Sequence, residues 1–263
     1  MPTKAAKSNL SVLKTIRIIE ILARAHEPMR LSELAAQSDM PPSTTLRMVN
    51  TLVECGYAYQ EEHGQQRYGL TMRFLQIGQL AADHFSIRDV AHPFLVSLAQ
   101  ETRETCCLSI DDHGCVRYLD VVENAQSNIL IRQRIGGSAP MHCTGSGKIL
   151  LSKYTPEALD DLVAQHGLPQ MTSHTITSPD ELRYEVAKSI ERGYSMDDEE
   201  CEIGMRCMAA PIYGSNGKVT AALSLSGPIS RMTKMRCEVE LYPRLQAYAE
   251  QITQKIGGQN PVR

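Results

Sequence analysis

"PPSTTLRMVNTLVECGY", residues 41–57, decides how the first third of this chain is read. Taken as a helix, it places Thr45, Met48, Val49, Leu52 and Val53 at i, i+3, i+4, i+7 and i+8, one stripe that must pack on something. Successive helical residues lie about 100° apart, so Ser43, Arg47, Asn50, Thr51 and Glu54 occupy the opposite side. Gly56 suits the left-handed position just beyond such a helix. A short polar face with one arginine is also what an ordinary solvated helix presents, so the neighbouring segments decide its use.

Upstream, residues 9–25 space Val12, Ile16, Ile19 and Ala23 by four, three and four, which predicts a core-facing helix with a basic back. In "EPMRLSELAAQSDMPP", Ser32 is the expected N-cap, Leu34 and Ala35 the buried side, and Pro41-Pro42 the stop of a helix about two turns long. Downstream, "YAYQEEHGQQRYGL" reads as strand, turn at Gly64 and strand, with Tyr57, Tyr59 and Tyr68 favouring the extended state. A long helix, a short one, a tight connection, a helix with a polar outer face and then a hairpin is the order of a winged helix-turn-helix.

Double-stranded DNA is the partner this order predicts. Ser43 and Thr44 at the helix start are placed for phosphate. Arg47 is placed for guanine edges and Asn50 for adenine. Arg67 in the wing, with Lys4, Lys7 and Lys14, is expected to add phosphate attraction, although lysines near a chain end serve solubility equally well.

The 263 residues carry a net charge of -3 and are 42% hydrophobic, enough for one large domain or two modest ones. No basic excess announces nucleic acid, but four basic residues and no acid precede Glu20. The start lacks the apolar stretch of a signal peptide, and no run approaches the ~18 apolar residues of a membrane span, so a cytoplasmic protein is expected. The eight cysteines are then free thiols rather than a disulfide framework. Cys143, Cys201, Cys207 and His142 are distant singletons without metal-ligand spacing, and neither a metal nor a cofactor is expected.

The run "RLSELAAQSDMPPSTTLRMVNTLVECGY", the wing and "YGLTMRFLQIGQLA" resemble the DNA-binding domain and linker helix of the IclR family of bacterial transcription regulators. "MHCTGSGKILLS" (141–152), "GYSMDDEECEIGMRCMAAPIYGSNGKV" (193–219) and "ALSLSGPISRM" (222–232) resemble segments that line that family's effector pocket. The resemblance covers nearly the whole chain. Two positions depart from it: Pro42 stands where the family often has a basic residue, and Leu46 where a polar one is common. Leu46 is instead suited to a thymine methyl.

The expected division is 1–70 winged helix-turn-helix, 71–85 linker helix with Phe74, Ile77 and Leu80 spaced by three, and 86–263 effector-binding domain. In the last part, "CCLSIDD", "CVRYLDVV", "SNILIRQ", "MRCMAAPIY" and "KVTAALSLS" read as strands, the final two joined by "GSNG". Thr155-Pro156 and Ser178-Pro179 start helices, and Tyr242, Leu245, Ala249, Ile252 and Ile256 stripe the last one. The fold class is therefore α+β, and the resemblance implies a GAF-like effector fold.

In "CTGSGKILL" two glycines before an apolar run bring helix-start amides together. A Walker motif would need glycine at His142 and Ser or Thr at Ile149, so a small anion is expected rather than a triphosphate. The resemblance implies that Gly145 and Ser146 hold a carboxylate, that Asp197, Cys207, Ser224 and Ser226 meet the rest of a small acid, and that Ile129 and Ile131 form an apolar wall. Ser224 and Ser226, two apart on a strand, face one side. In the acidic run 197–200, Glu200 reads as part of a solvated turn.

No G-x-S-x-G elbow occurs, and neighbouring acids on a strand point to opposite faces, so catalysis is not expected. The family resemblance implies a repressor of carbon-source catabolism and a homodimer paired into a tetramer, and the serines and aspartate expected around the carboxylate cradle suggest as its effector a small hydroxylated or keto acid such as a sugar acid or 2-keto acid. The rival reading is a DNA-binding protein whose second domain only oligomerises.

Overall fold

The computed structural model describes residues 9–25, 27–61, 66–82, 86–123 and 133–260. It divides into two units, Met1–Phe85 and Ser86–Arg263. The first comprises α1 (Leu10–Arg24), β1 (Met29–Arg30), α2 (Leu31–Ser38), α3 (Pro42–Glu54), β2 (Ala58–Gln60), β3 (Arg67–Leu70) and α4 (Arg73–Ala82). Its core gathers Ile18, Leu22, Leu34, Met48, Val49, Leu52 and Tyr68.

On α3 the apolar stripe is as read: Thr45, Met48, Val49 and Leu52 are buried and Val53 half-buried, while Ser43, Arg47, Asn50, Thr51 and Glu54 are exposed. Pro42 takes the first helical position, where its missing N–H costs nothing. Gly56, at φ +77°, lets the Tyr57 N–H reach back to the Leu52 carbonyl at 2.8 Å.

Two expectations for the preceding helices are corrected. The buried side of α1 is Ile18 and Leu22, whereas Val12, Ile16 and Ala23 are exposed and Ile19 only half-buried. The expected stripe is displaced by one residue, about 100°, because α1 has apolar residues on more than one side and period alone does not choose between them. The N-cap of α2 is Arg30 rather than Ser32, since the chain enters that helix directly from β1. Glu33 accepts the Arg30 N–H at 2.8 Å.

β1 was not foreseen; it joins the two hairpin strands in an antiparallel sheet of order β1-β3-β2, with Met29 opposite Tyr68 and Ala58 opposite Leu70. The turn at Gly64 lies outside the described residues. On α4, Phe74 packs on Tyr57 with ring centroids 5.1 Å apart, while Ile77 and Leu80 are exposed.

The second unit begins with α5 (Ile87–Thr102), a helix the sequence reading did not anticipate and which carries Pro93 in its interior. Six antiparallel strands follow: β4 (Thr105–Asp112), β5 (Cys115–Val122), β6 (Ser138–Pro140), β7 (Ser195–Asp198), β8 (Met205–Tyr213) and β9 (Val219–Pro228), in sheet order β6-β5-β4-β9-β8-β7. The short β6 was not read, β7 was read only as a strand-like setting for the acids at 197–200, and of "SNILIRQ" only Gln133 falls among the described residues. The helices are α6 (Gly145–Leu151), α7 (Pro156–His166), α8 (Pro179–Arg192), the short α9 (Lys234–Arg236) and α10 (Tyr242–Lys255), the last preceded by a π-helical turn at Cys237–Leu241.

Side-chain alternation along the strands gives the sheet two apolar faces. Leu223, Leu225 and Met208 pack with Leu95 and Leu98 of α5 and Leu245 and Ile252 of α10. Ala222 and Ala209, on the other face, pack with Ile149 and Leu150 of α6 and Leu182 of α8. The fold is α+β, as expected, and the second face carries the cavity.

Candidate functional site

The exposed face of α3 presents Ser43 in the first turn, with Leu46, Arg47 and Asn50 behind it; Thr44 is half-buried. The Thr51 hydroxyl is turned inward along the helix, donating to the Arg47 carbonyl at 2.9 Å. Arg67 is not a loose wing cation: its guanidinium donates to the Pro28 carbonyl at 3.4 Å and lies 3.9 Å from Glu27. Lys14 is exposed on α1, whereas Lys4 and Lys7 lie outside the described residues.

In the second unit a cavity of about 430 Å³ opens where the start of α6 meets the open face of β7, β8 and β9. Gly145, Ser146, Asp197, Cys207, Ser224 and Ser226 all line it, brought together from four elements. Ile129 and Ile131 lie outside the described residues. The sequence reading missed Tyr118 from β5, Gln133, Thr144, Thr172 and Cys201, which also line the cavity, as do the apolar Met171, Ile203 and Met205. Tyr118 had a legible signal as an inward position of an alternating strand, and Thr144 and Cys201 lie within the segments that resemble the family's pocket lining.

The start of α6 is held by backbone packing. Thr144 caps it, accepting the Gly147 N–H at 3.1 Å and donating to the Pro140 carbonyl at 2.8 Å. A Cβ on Gly147 would stand 2.2 Å from the Met141 carbonyl oxygen, so only glycine lets the helix sit there. Ser195 of β7 donates to the Gly145 carbonyl. The first-turn amides of Gly145 and Ser146 have no carbonyl partner within the helix.

On the sheet side the polar groups form a chain. Ser226 donates to the Cys207 sulfur at 3.1 Å and accepts from the Gln133 amide at 3.2 Å, and the Gln133 carbonyl accepts from the Cys107 thiol at 3.0 Å. Burial pushes the Cys107 and Cys207 thiols upward. Asp197 is 2% exposed. Burial raises its carboxyl to about 6, even though Oδ1 accepts the Glu200 N–H at 2.8 Å and the Cys201 N–H at 3.3 Å.

Glu200 corrects an expectation. Instead of lying in a solvated turn it is buried, with Oε1 2.5 Å from the ammonium of the fully buried Lys148. Its Oε2 is the one buried side-chain oxygen or nitrogen without a hydrogen-bond partner among the described residues. The neighbouring Asp198 points the other way, to Arg206 and Lys234. The alternation expected of adjacent strand acids therefore holds for 197 and 198, and fails at 200 where the strand has ended. Among the described residues no three His, Cys, Asp or Glu side chains are grouped to hold a metal ion.

A winged helix-turn-helix followed by an α+β domain with a polar cavity places the chain in the class of DNA-binding regulators. The family model for the IclR helix-turn-helix domain matches residues 11–62, and that for the bacterial transcriptional regulator IclR C-terminal domain matches residues 79–254. The chain belongs to the IclR family of bacterial transcription regulators. It is 32% identical over 259 residues to the transcriptional repressor IclR of Escherichia coli K12, covering 94% of this chain and 90% of that protein. A putative IclR transcriptional regulator from Silicibacter sp. TM1040 superposes with a TM-score of 0.83 at 26% identity, covering 95% and 97% of the two chains. An IclR homolog from Microbacterium hydrocarbonoxydans, complexed with 4-hydroxybenzoate, superposes with a TM-score of 0.57 at 25% identity over 94% and 98%.

Proposed function

We propose that this regulator binds a palindromic operator through α3 and the wing, and that a small organic acid in the cavity changes its affinity for that DNA. Arg47 and Asn50 read base edges in the major groove, Leu46 contacts a thymine methyl, and Ser43, Thr44 and Arg67 hold phosphates. A symmetric operator calls for a homodimer, paired into a tetramer by family analogy. The working compartment in this reading is the cytoplasm, and no described helix is long and apolar enough to cross a membrane.

The observation that carries the sensor half is the convergence of Gly145, Ser146, Asp197, Cys207, Ser224 and Ser226 on one cavity. First-turn amides take the carboxylate; the serines and the Asp197 carboxyl take hydroxyl or keto oxygens, as a sugar acid or 2-keto acid supplies. Ile129 and Ile131 are assigned the apolar wall. The acid shifts the population between operator-competent and operator-incompetent states, which it must bind unequally, by a coupling of about 1 to 3 kcal/mol. Repression of carbon-source catabolism is the role this reading assigns, in line with the repressors among the relatives.

Fluorescence anisotropy with labelled DNA flanking the gene tests it, at several salt concentrations, with and without sugar acids, 2-keto acids and hydroxybenzoates. Specific binding changed by one acid is expected. Specific binding unaffected by every acid at millimolar concentration sinks the sensor reading and favours a second domain that only oligomerises.

A further inference from the structure

The cavity is larger than a small 2-keto acid requires. At about 430 Å³ it has room for on the order of fourteen waters at ~30 Å³ each, so a three-carbon acid on the Gly145 and Ser146 amides leaves most of it wet. Gln133, ahead of β6, decides part of what the remainder offers. Its carboxamide is held by two hydrogen bonds: the carbonyl accepts from the Cys107 thiol at 3.0 Å, and the amide donates to the Ser226 hydroxyl at 3.2 Å. Ser226 in turn gives its proton to the Cys207 sulfur at 3.1 Å. A hydroxyl has one proton, and a carboxamide has two N–H donors. Ser226 therefore meets a ligand as an acceptor, while the second N–H of Gln133, which no described group takes, is left over as a donor.

Arg134 comes next in the chain. The turn that carries it is clamped to β5, the Gly136 N–H donating to the Tyr118 carbonyl at 2.8 Å and the Tyr118 N–H to the Gly137 carbonyl at 3.0 Å. Arg134 lines the cavity and is exposed. Its guanidinium has no ion pair or hydrogen bond among the described residues, whereas Arg117, Arg206, Arg231 and Arg236 are each paired with a carboxylate. Among the described residues that line the cavity it is the one lysine or arginine; the carboxyl groups there are Asp197 and Glu202, and neither is paired with it.

We propose that the effector is a dicarboxylic acid, whose second carboxylate is held by the Gln133 N–H and the Arg134 guanidinium. This rests on the first carboxylate taking the α6 amides, as in the acid-sensing reading above. A guanidinium has donors and no acceptor, and the Gln133 carbonyl is already engaged by Cys107, so these two neighbours offer donors to an acceptor-only group. A carboxylate is such a group, and its hydrogen bonds to a guanidinium are charge-assisted. The acids of the lining make the cation decisive, because Asp197 and Glu202 repel a second ligand charge that nothing else offsets.

Isothermal titration calorimetry on the full chain tests this with acids matched in carbon number: 2-oxoglutarate against 2-oxopentanoate, and malate against 2-hydroxybutyrate. Each diacid should bind about tenfold or more tightly than its monoacid, as charge-assisted hydrogen bonds supply. Arg134→Gln, at an exposed position, should remove most of that ratio. Gln133→Glu, which sets a carboxylate where the amide stood, should bring the diacid level with its monoacid or below it. Melting temperatures equal to the parent's show that both variants are folded. Monoacids that bind as tightly as their diacids, or a diacid preference that survives both substitutions, overturn the proposal and leave the acid sensor standing. Failure of all four acids to bind overturns it as well, and the wider acid panel above then decides the sensor reading by itself.

Discussion

Removing the Lys148 ammonium while keeping its apolar stem, as Lys148→Met does, isolates what the buried pair contributes. Lys148 is fully buried and Glu200 is 7% exposed. In the variant the Glu200 carboxylate keeps only the Asp198 N–H, at a long 3.4 Å on Oε1, while Oε2 already lacks a partner. Breaking a buried pair from one side costs about 3–5 kcal/mol, because the remaining charge has lost both water and its counter-ion. A domain holds about 5–15 kcal/mol in total. With a urea dependence of about 2 kcal/mol per M, a loss of about 4 kcal/mol moves the midpoint down by about 2 M. Hydrogen exchange of the β8 and β9 amides in urea reads this unit apart from the first. Lys148→Met/Glu200→Leu, which removes both charges, should regain most of the loss. A single variant within about 1 kcal/mol of the parent, or a double variant no more stable than the single, refutes the reasoning.

Gly147→Ala should destabilise the second unit by about 3 kcal/mol or more, since its Cβ meets Met141 backbone at 2.2 Å, while Gly145→Ala, with nothing nearer than 3.4 Å, should keep the fold; equal melting temperatures for the two variants count against the seating of α6. Asp197 is held at about 6 against an ordinary 3.8, so the folded chain binds that proton more tightly than the unfolded one. At about 1.4 kcal/mol per pH unit, its contribution to stability is intact below about pH 4 and falls by about 3 kcal/mol by about pH 6. Asp197→Asn should flatten that slope in denaturation curves taken at several pH values, and a slope left unchanged removes Asp197 as its source. Arg47→Ala should abolish specific operator binding with the circular dichroism unchanged, and operator affinity equal to the parent's takes Arg47 out of the base-reading role. Ser224→Ala with Ser226→Ala should weaken the acid response at least tenfold while leaving DNA binding by the free protein intact; a response at the same acid concentration excludes those hydroxyls.

How far the sequence could be read follows from the range of the interactions involved. α3 was legible because its apolar period, the Pro41-Pro42 break before it and its Gly56 stop are local properties, and they agree with one another. α1 was misread by one residue's rotation because its apolar residues, Leu10, Val12, Leu13, Ile16, Ile18 and Leu22 among them, satisfy more than one stripe. Only the packing of Ile18 and Leu22 against α2, α3 and the small sheet distinguishes the buried one. β1 is two residues long and β6 three, too short to show a period of two, and they exist because β3 and β5 offer free edges to them.

The cavity shows the same division. Ser224 and Ser226 could be placed on one face by counting, and Gly145 and Ser146 by the glycine pattern, but no local rule puts those two segments against each other. Glu200 shows why. Its neighbours in sequence are Asp197, Asp198 and Glu199, and a run of four acids is ordinarily solvated. What reverses that is Lys148, fifty-two positions earlier on α6, which the apolar packing of Ile149, Leu150 and Leu151 carries under the sheet. Once the ammonium is buried, a carboxylate has to follow it, and the loop after β7 supplies Glu200. The same loop presents the amides of Glu200 and Cys201 that hold Asp197 toward the cavity. The buried ion pair and the cavity wall are therefore parts of one arrangement, and a substitution at Lys148 should disturb Asp197 even though the two side chains lie on different elements.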